Sequence, residues 1–448
     1  MWFVAFALFG VFFYIRGYKI SALFIFFFFL TKGFNLIPDE WVDLGVPLTK
    51  NSDYAFFLLL IYLTIEFLCN RTFLKIDTFV VLTSVFFAFL FVCVIYNHYT
   101  LGVGWGEIIR TIRYLFFLLA YFIFRTMDKE QLRSLLSCLF YITVFSSVLF
   151  LFQIILDERI LVDTTKSSAT ILGITLPRWY NQPDMINFFV FISIYANPLK
   201  GISRKVTMII LILALFGAFH RSLSGFFLAS ILIGYILKLP RIRRIQILSG
   251  IAVISLFIIV FASHRFTQSR TYKDIKTVTT SKDILEADID LEDLAEATFS
   301  FRIAHLFERN QYLMENPMAQ VFGAALITED SKKVDKMFDF KIGLIEELTQ
   351  EITQLDTGDI SYSILLLRFG YLGTALYLAM FFYLIIYFYK NRDHKYARLS
   401  FLYYIMEFGV SFFSYTLTLP VTFLLPLIAY NIVRKEKIPE EEKAIVIQ

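Results

Sequence analysis

The stretch "TFVVLTSVFFAFLFVCVIY", residues 78–96, carries no charged side chain. As a helix rising 1.5 Å per residue it is about 28 Å long, close to the roughly 30 Å hydrocarbon core of a bilayer. Outward from it, apolar runs recur along the whole chain, near 2–15, 20–36, 53–68, 108–124, 134–156, 185–198, 206–219, 222–238, 245–262, 362–388, 399–415 and 417–433. The sequence therefore predicts an all-α, polytopic membrane protein with about 11–13 spans. Composition agrees: 58% of the 448 residues are hydrophobic, 53 are Phe, and mean hydropathy is +0.65. A water-soluble domain of this size carries more charge and far less Phe. The first run has no basic flank and no small-residue cleavage site, so no signal peptide is expected. Cys69, Cys93 and Cys138 lie in or beside apolar runs and read as small core residues.

Net charge is +4, and its distribution is more informative than its sum. One set of connections is basic: Arg16/Lys19, Arg71/Lys75, Arg125/Lys129/Arg133, Lys200/Arg204/Lys205, Lys238/Arg241/Arg243/Arg244, Lys390/Arg392/Lys395/Arg398 and Arg434/Lys435/Lys437. The alternate set is acidic or mixed: Asp39/Glu40/Asp43, then 97–107, 157–184 and 263–361. The positive-inside rule places the first set in the cytoplasm and the second outside. Four regions follow: N-terminal spans in 1–262, a loop or cap in 263–361, C-terminal spans in 362–433 and a cytoplasmic tail in 434–448. The loop is acidic, with 19 Asp/Glu against 11 Lys/Arg, and is too long for an idle connector. Helical periodicity over 282–297, 300–316 and 333–355 predicts a small helical cap on the membrane.

Several ionisable groups fall on the predicted outer side. Arg178, Asp184 and Asn187 stand at the mouth of a span, and His220 and Arg221 occupy a short turn. Arg302, His305 and Arg309 are spaced i, i+3, i+7, so a helix places all three on one face. Asp356 and Asp359 precede a span that carries Arg368 in its first turns, where a charge costs about 2.5–3.5 kcal/mol on insertion scales and usually faces a polar cavity. Plainer readings compete. Arg178 and Arg221 also suit interfacial snorkelling; the 300–316 stripe suits a solvated face; Asp356 suits a helix cap. Arg110 and Arg113, near Glu107, read equally as a structural ion pair or as a second wall of the same site. There is no HExxH, no Cys/His metal spacing and no Walker A loop, so neither metal nor cofactor is expected. Intramembrane acids suited to proton or sodium carriage are scarce, Glu66 and Glu407 being the main ones, and inverted repeats are not evident.

With its late outer loop followed by about three spans, the layout resembles the superfamily of Wzy-type O-antigen polymerases and O-antigen ligases. The local motifs that carry the resemblance are Arg178 followed by Pro183 and Asn187; Arg221 before Ser222-Leu-Ser-Gly225; Arg302, Asn316-Pro317 and Gly323; and Asp359-Ile-Ser-Tyr362 leading to Gly370-Tyr-Leu-Gly373. A His that the ligases keep before the last spans is absent here, with Asp356, Asp359 and Ser361 in its neighbourhood, which favours a polymerase. The Arg of the Ser-Arg element is displaced to Arg221.

The resemblance implies a GT-C-like helical glycosyltransferase of a bacterial inner (cytoplasmic) membrane, with the long loop periplasmic. It implies joining of undecaprenyl-diphosphate-linked repeat units without a metal or cofactor. Arg302 and Arg221 then stabilise the departing diphosphate, and Asp359, Asp356 or His305 takes the acceptor's proton. Arg178, Arg368, Asn187, Arg309 and Tyr362 bind substrate. The expected partners are lipid-linked oligosaccharides, membrane lipids and a protein that regulates chain length, with no nucleic acid. The rival readings are an O-antigen ligase that transfers polymer to lipid A core, a transporter of lipid-linked sugars, and a non-catalytic membrane scaffold.

Overall fold

The computed structural model describes residues 2–45, 48–70, 76–162, 166–171, 174–180, 182–240, 242–243, 245–247, 249, 298–329, 331–343, 352–355 and 360–446. These residues are mostly helical. The principal helices are α1 (Trp2–Ile15), α2 (Lys19–Leu30), α3 (Asn51–Cys69), α4 (Thr78–Tyr99), α5 (Trp105–Phe116), α6 (Ala120–Thr126), α7 (Lys129–Leu156), α8 (Ile186–Tyr195), α9 (Gly201–Gly217), α10 (Arg221–Lys238), α11 (Thr298–Glu315), α12 (Pro317–Phe322), α13 (Ser361–Lys390), α14 (Lys395–Val410) and α15 (Pro420–Val446). Five of them, α3, α4, α7, α10 and α13, are long and apolar enough to cross a membrane, and α1, α2 and α8 are shorter apolar helices.

Five such helices among the described residues is fewer than the run lengths predict, because several runs are broken by local backbone geometry. The run 20–36 stops at Leu30, after which Lys32, Gly33, Phe34 and Asn35 all take positive φ (50°, 61°, 59° and 67°) and wind one turn in the left-handed sense. The run 108–124 is divided by a 3₁₀ turn, Phe117–Leu119, between α5 and α6. The expected helix 245–262 lies largely outside the described residues, as does the one over 282–297. α15 runs without a break from Pro420 to Val446. Starts are set by side chains. Asp77 caps α4 by accepting the Val80 N–H at 2.9 Å. At α7, Asp128 and Gln131 accept from each other's backbone at 2.8 and 3.1 Å, closing both ends of a capping box.

Within the expected loop 157–184 the chain forms an antiparallel hairpin that helical periodicity does not anticipate. Strand β1 (Lys166–Ile171) pairs with β2 (Ile174–Trp179), with Ser167 opposite Arg178. The β-branched Thr and Ile residues of the two strands are the local signal for it.

The helices pack around a Phe-rich interior in which Phe26, Phe27, Phe29, Phe79, Phe86 and Phe140 are fully buried. Stacked aromatic pairs join neighbours, such as Tyr14 with Tyr62 at 4.2 Å and Phe29 with Tyr54 at 4.9 Å. α14 lies between α8, α10, α13 and α15, while α7 contacts α2, α9 and α15.

α13 is two helices in one continuous stretch, because Gly370 has φ 63° and ψ −169°. A Cβ there would lie 2.5 Å from the Gln320 carbonyl, and one at Gly323 (φ 80°) would lie 2.2 Å from the Arg368 carbonyl. The two glycines thus let the end of α12 seat against the break, where the Ala324 N–H donates to the Leu367 carbonyl at 2.6 Å.

The cap is less helical than its periodicity predicts. α11 forms as expected, but of 333–355 only Val334–Met337 is helical among the described residues. Carboxylates claim the amides that a helix would need. Glu308 accepts from the Lys341 and Ile342 N–H groups at 2.6 and 3.0 Å. Glu329 accepts from those of Gln354 and Leu355 at 2.6 and 2.7 Å. The cap docks on the connection between α4 and α5: Asn97 accepts the Leu326 N–H at 2.6 Å, and Lys333 donates to the Gly102 carbonyl.

Candidate functional site

The stripe on α11 faces inward. Phe301, Ala304, His305, Glu308, Arg309 and Leu313 are buried, the i, i+3, i+4 pattern of a helix face packed on protein, here against α13. His305 Nδ1 lies 2.7 Å from Ser363 Oγ. Burial, reinforced by the Arg309 charge, pushes its imidazole down to about 2. Enclosed and with so low an affinity for a proton, it is a weak base, which does not suit the proton-accepting role expected of it.

Arg309 is fully enclosed. Its guanidinium donates to Glu308 at 2.5 Å, to the Ile342 carbonyl and to the Gln354 carbonyl at 2.8 Å, and lies 4.2 Å from the Phe340 ring centre. Burial pulls it down to about 10 against the opposing Glu308 and Glu329 charges, so it stays a cation at neutral pH. The Nη donors of these bonds go to the cap's own fold, and the enclosed side chain acts there as a clasp and not as an open ligand for substrate. Glu308 was the missing signal: an acid adjacent to Arg309 in sequence supplies the partner that lets a cation be buried.

Three other arginines are placed differently. Arg302, half-buried on α11, lies 5.6 Å from the centre of the Phe413 ring. Phe413 also packs against Phe226 at 6.0 Å, and Phe226 belongs to the helix that Arg221 begins. Arg221 itself is exposed. Next to it, His220 meets Tyr180 at 6.0 Å between ring centres, and the Arg178 guanidinium stacks on that same Tyr180 at 4.4 Å. Two sets of aromatic contacts thus reach α10 and the residue before it: Arg178 and His220 share Tyr180, and Arg302 and Phe226 share Phe413. Aromatic faces attract the cations without cancelling their charge. Arg178 Nε is buried without a hydrogen-bond partner among the described residues.

The segment 411–418 connects these pieces, and run length hides it within the end of a span. Ser411 Oγ donates to the Tyr362 hydroxyl at 3.0 Å. Ser361 donates from its backbone to the Ser411 carbonyl at 3.2 Å and from its hydroxyl to the Ser414 carbonyl at 2.7 Å. The Ser/Thr density of "SFFSYTLTLP", residues 411–420, is the sequence signal that marks it. No family model, curated protein or solved structure matches the chain. What the site can do is consequently read from its own chemistry.

The remaining expected residues divide. Tyr362 joins the hub. Asn187 turns into the protein, donating to Glu407 at 3.0 Å and accepting from Gln182 at 3.0 Å. Arg368 is buried at the α13 break, 8% exposed. Asp356 and Asp359 lie outside the described residues. Arg113 pairs with Asp53 as a structural ion pair, and Glu107 caps α5 through the Gly104 N–H at 3.2 Å.

Proposed function

We propose that the protein is a membrane glycosyltransferase that polymerises glycan repeats carried on polyprenyl diphosphate, at the outer face of a bacterial inner membrane. The placement of Arg178 on the ring that meets His220, and of Arg302 on the ring that meets Phe226, at the first turns of the helix that Arg221 begins, is the observation that carries this reading. A diphosphate leaving group gains negative charge as it departs, and guanidinium groups held beforehand meet it with short, charge-assisted hydrogen bonds. Loss of one such preorganised donor costs about 2.7–4 kcal/mol in well-studied enzymes. The apolar helices around the site suit a polyprenyl tail. The cap suits the need to hold donor and acceptor glycans together, which converts a bimolecular encounter into a positioned one.

In the proposed step an acceptor hydroxyl oxygen bonds to the donor's anomeric carbon. The bond from that carbon to the diphosphate oxygen breaks, its electron pair leaves with the phosphate, and a carboxylate takes the hydroxyl proton. The outcome is inversion at that carbon. Purified protein in lipid nanodiscs, given a synthetic polyprenyl-diphosphate-linked repeat, is expected to yield a ladder of masses spaced by one repeat. Unchanged substrate after prolonged incubation, with protein that remains monodisperse, would overturn the proposal.

A further inference from the structure

Glu66 and Glu407 both lie within apolar runs, and they are treated differently. Glu66 receives Lys19 at 2.5 Å, the Tyr14 hydroxyl at 2.6 Å and Asn70 Nδ2 at 3.2 Å, so the protein itself supplies its cation. Glu407, on α14, is 1% exposed. Its Oε1 accepts from Asn187 Nδ2 at 3.0 Å, and its Oε2 has no hydrogen-bond partner among the described residues. The side chains that act on the carboxyl group are Asn187 and Thr416, and neither carries a charge. The phenols that feel it, Tyr403 and Tyr404, belong to the same helix. A carboxylate enclosed with neither a cation nor a full set of donors is among the costliest groups to bury.

The surroundings are short of donors and rich in oxygen. The Thr416 hydroxyl, on a residue 8% exposed, stands beside the carboxyl group and is unpartnered among the described residues. Gln182 donates from Nε2 to Asn187 Oδ1 at 3.0 Å, and its own Oε1 is buried without a partner there. A Thr416 O–H turned toward Oε2 shares a proton and leaves the negative charge in place. A trapped water does the same. We infer that this network binds one alkali-metal cation, with Glu407 Oε2 and Thr416 Oγ1 as ligands and Asn187 as the residue that orients the carboxylate. Hard cations take oxygen ligands of this kind, and a single positive charge matches a single carboxylate. Thr416 follows the exposed Tyr415, so opening of the 411–418 segment admits the ion. Once bound, the ion ties α14 to that segment and, through Asn187, to the entry of α8. Both tied pieces support arginines: Phe413 lies under Arg302, and Tyr180, on the stretch leading to Asn187, lies under Arg178. The ion takes no part in glycosyl transfer, and the inference does not depend on the polymerase reading.

The test places the full chain in lipid nanodiscs, in buffers of equal ionic strength made with sodium, potassium or N-methylglucamine chloride. Retained radioactive sodium is counted, and amide exchange over 411–418 is followed. Sodium is expected to bind saturably, one per chain. At ten times its half-saturating concentration it slows that exchange by about tenfold relative to the organic cation. Potassium acts in the same way at its own half-saturating concentration. Glu407→Gln keeps an oxygen for Asn187 and carries no charge, so it retains no sodium and exchanges alike in all three buffers. Asn187→Ala raises the half-saturating concentration by about 10–100-fold. A parent that retains no sodium and exchanges alike in every buffer overturns the inference, the carboxyl group then being closed by a proton. Folded Glu407→Gln that binds sodium as the parent does overturns it too. Should Glu407→Gln not fold, an unchanged sodium affinity in Thr416→Val refutes it. Failure here leaves the oligomer assay untouched, and an absent oligomer ladder leaves the ion site standing.

Discussion

Two groups of arginines, at opposite ends of the helical body, are held in different ways. At the end formed by the basic connections, partly or fully buried acids gather cations, while Lys238, Arg392 and Lys395 lie over aromatic rings. Lys19 lies 2.5 Å from Glu66, Asp77 receives Arg434 and, at 3.5 Å, Arg125, and Glu436 receives Arg133 and, at 2.5 Å, His394. At the end that carries the cap, Arg178 and Arg302 lie over aromatic rings, and among the described residues neither Arg178 nor Arg221 makes an ion pair. Other cations there do meet acids: Arg309 pairs with Glu308, Arg113 with Asp53, and Lys166 with Asp157 at 2.6 Å. The difference teaches that an arginine's work is set by its partner. A carboxylate closes the charge and leaves a staple between helices. An aromatic face fixes the guanidinium and leaves its charge available to an anion.

The largest effect that follows concerns the stapled end. Asp77→Asn removes the acid shared by Arg125, Arg434 and the Tyr121 hydroxyl, which donates to it at 2.5 Å. Breaking a buried pair of this kind costs about 3–5 kcal/mol, so the thermal midpoint drops while turnover per folded molecule in the polymerisation assay stays at the parent's value. A loss of turnover without loss of stability would erase the distinction between the ends.

At the opposite end, Arg302→Ala should do the reverse. Turnover falls by an amount equivalent to about 2.7–4 kcal/mol of transition-state stabilisation, and the melting temperature hardly moves. Oligomer ladders from the variant and the parent, run beside their melting curves, decide it.

Acid should loosen the cap selectively. In the folded protein the His305 imidazole titrates at about 2, lowered from 6.5 chiefly by burial. Between those two values the unfolded or undocked state binds a proton that the docked state does not. Docking therefore keeps its full strength above pH 6.5 and weakens below it, by up to about 1.4 kcal/mol per pH unit. Hydrogen exchange along α11, corrected for intrinsic rates, should rise from pH 7 to pH 5 faster than along α4. His305→Gln should abolish the difference.

The smallest effect is at Tyr180. Tyr180→Leu removes the ring beneath Arg178 and its contact with His220, for about 0.5–1 kcal/mol. A modest rise in KM for the lipid-linked repeat, with kcat retained, sharpens the view that the ring holds the cation and takes no part in the reaction. An unchanged KM would place Arg178 outside the site.

Much of this was legible residue by residue. The helix over 300–316 follows from its period and from Pro317 beyond it, and the contacts Lys19–Glu66 and Arg133–Glu436 join connections that the charge pattern had already grouped together. Local signals that were present but easily outweighed include the β-branched residues of the hairpin strands and the Ser/Thr-rich stretch before Pro420. The direction in which a helix face points was not legible, and Arg302, His305 and Arg309 share one face with three different outcomes.

By itself the sequence determined a helical chain with runs apolar enough to cross a membrane, because hydropathy and period belong to each segment alone. Only the tertiary structure decided that His305 and Arg309 are enclosed, that α13 breaks where Gly370 meets α12, and that Asn35 grips Asp184. Those outcomes depend on partners far away along the chain. The energy of placing a charge or a strained turn is set by the groups packed against it, and a linear pattern does not name them.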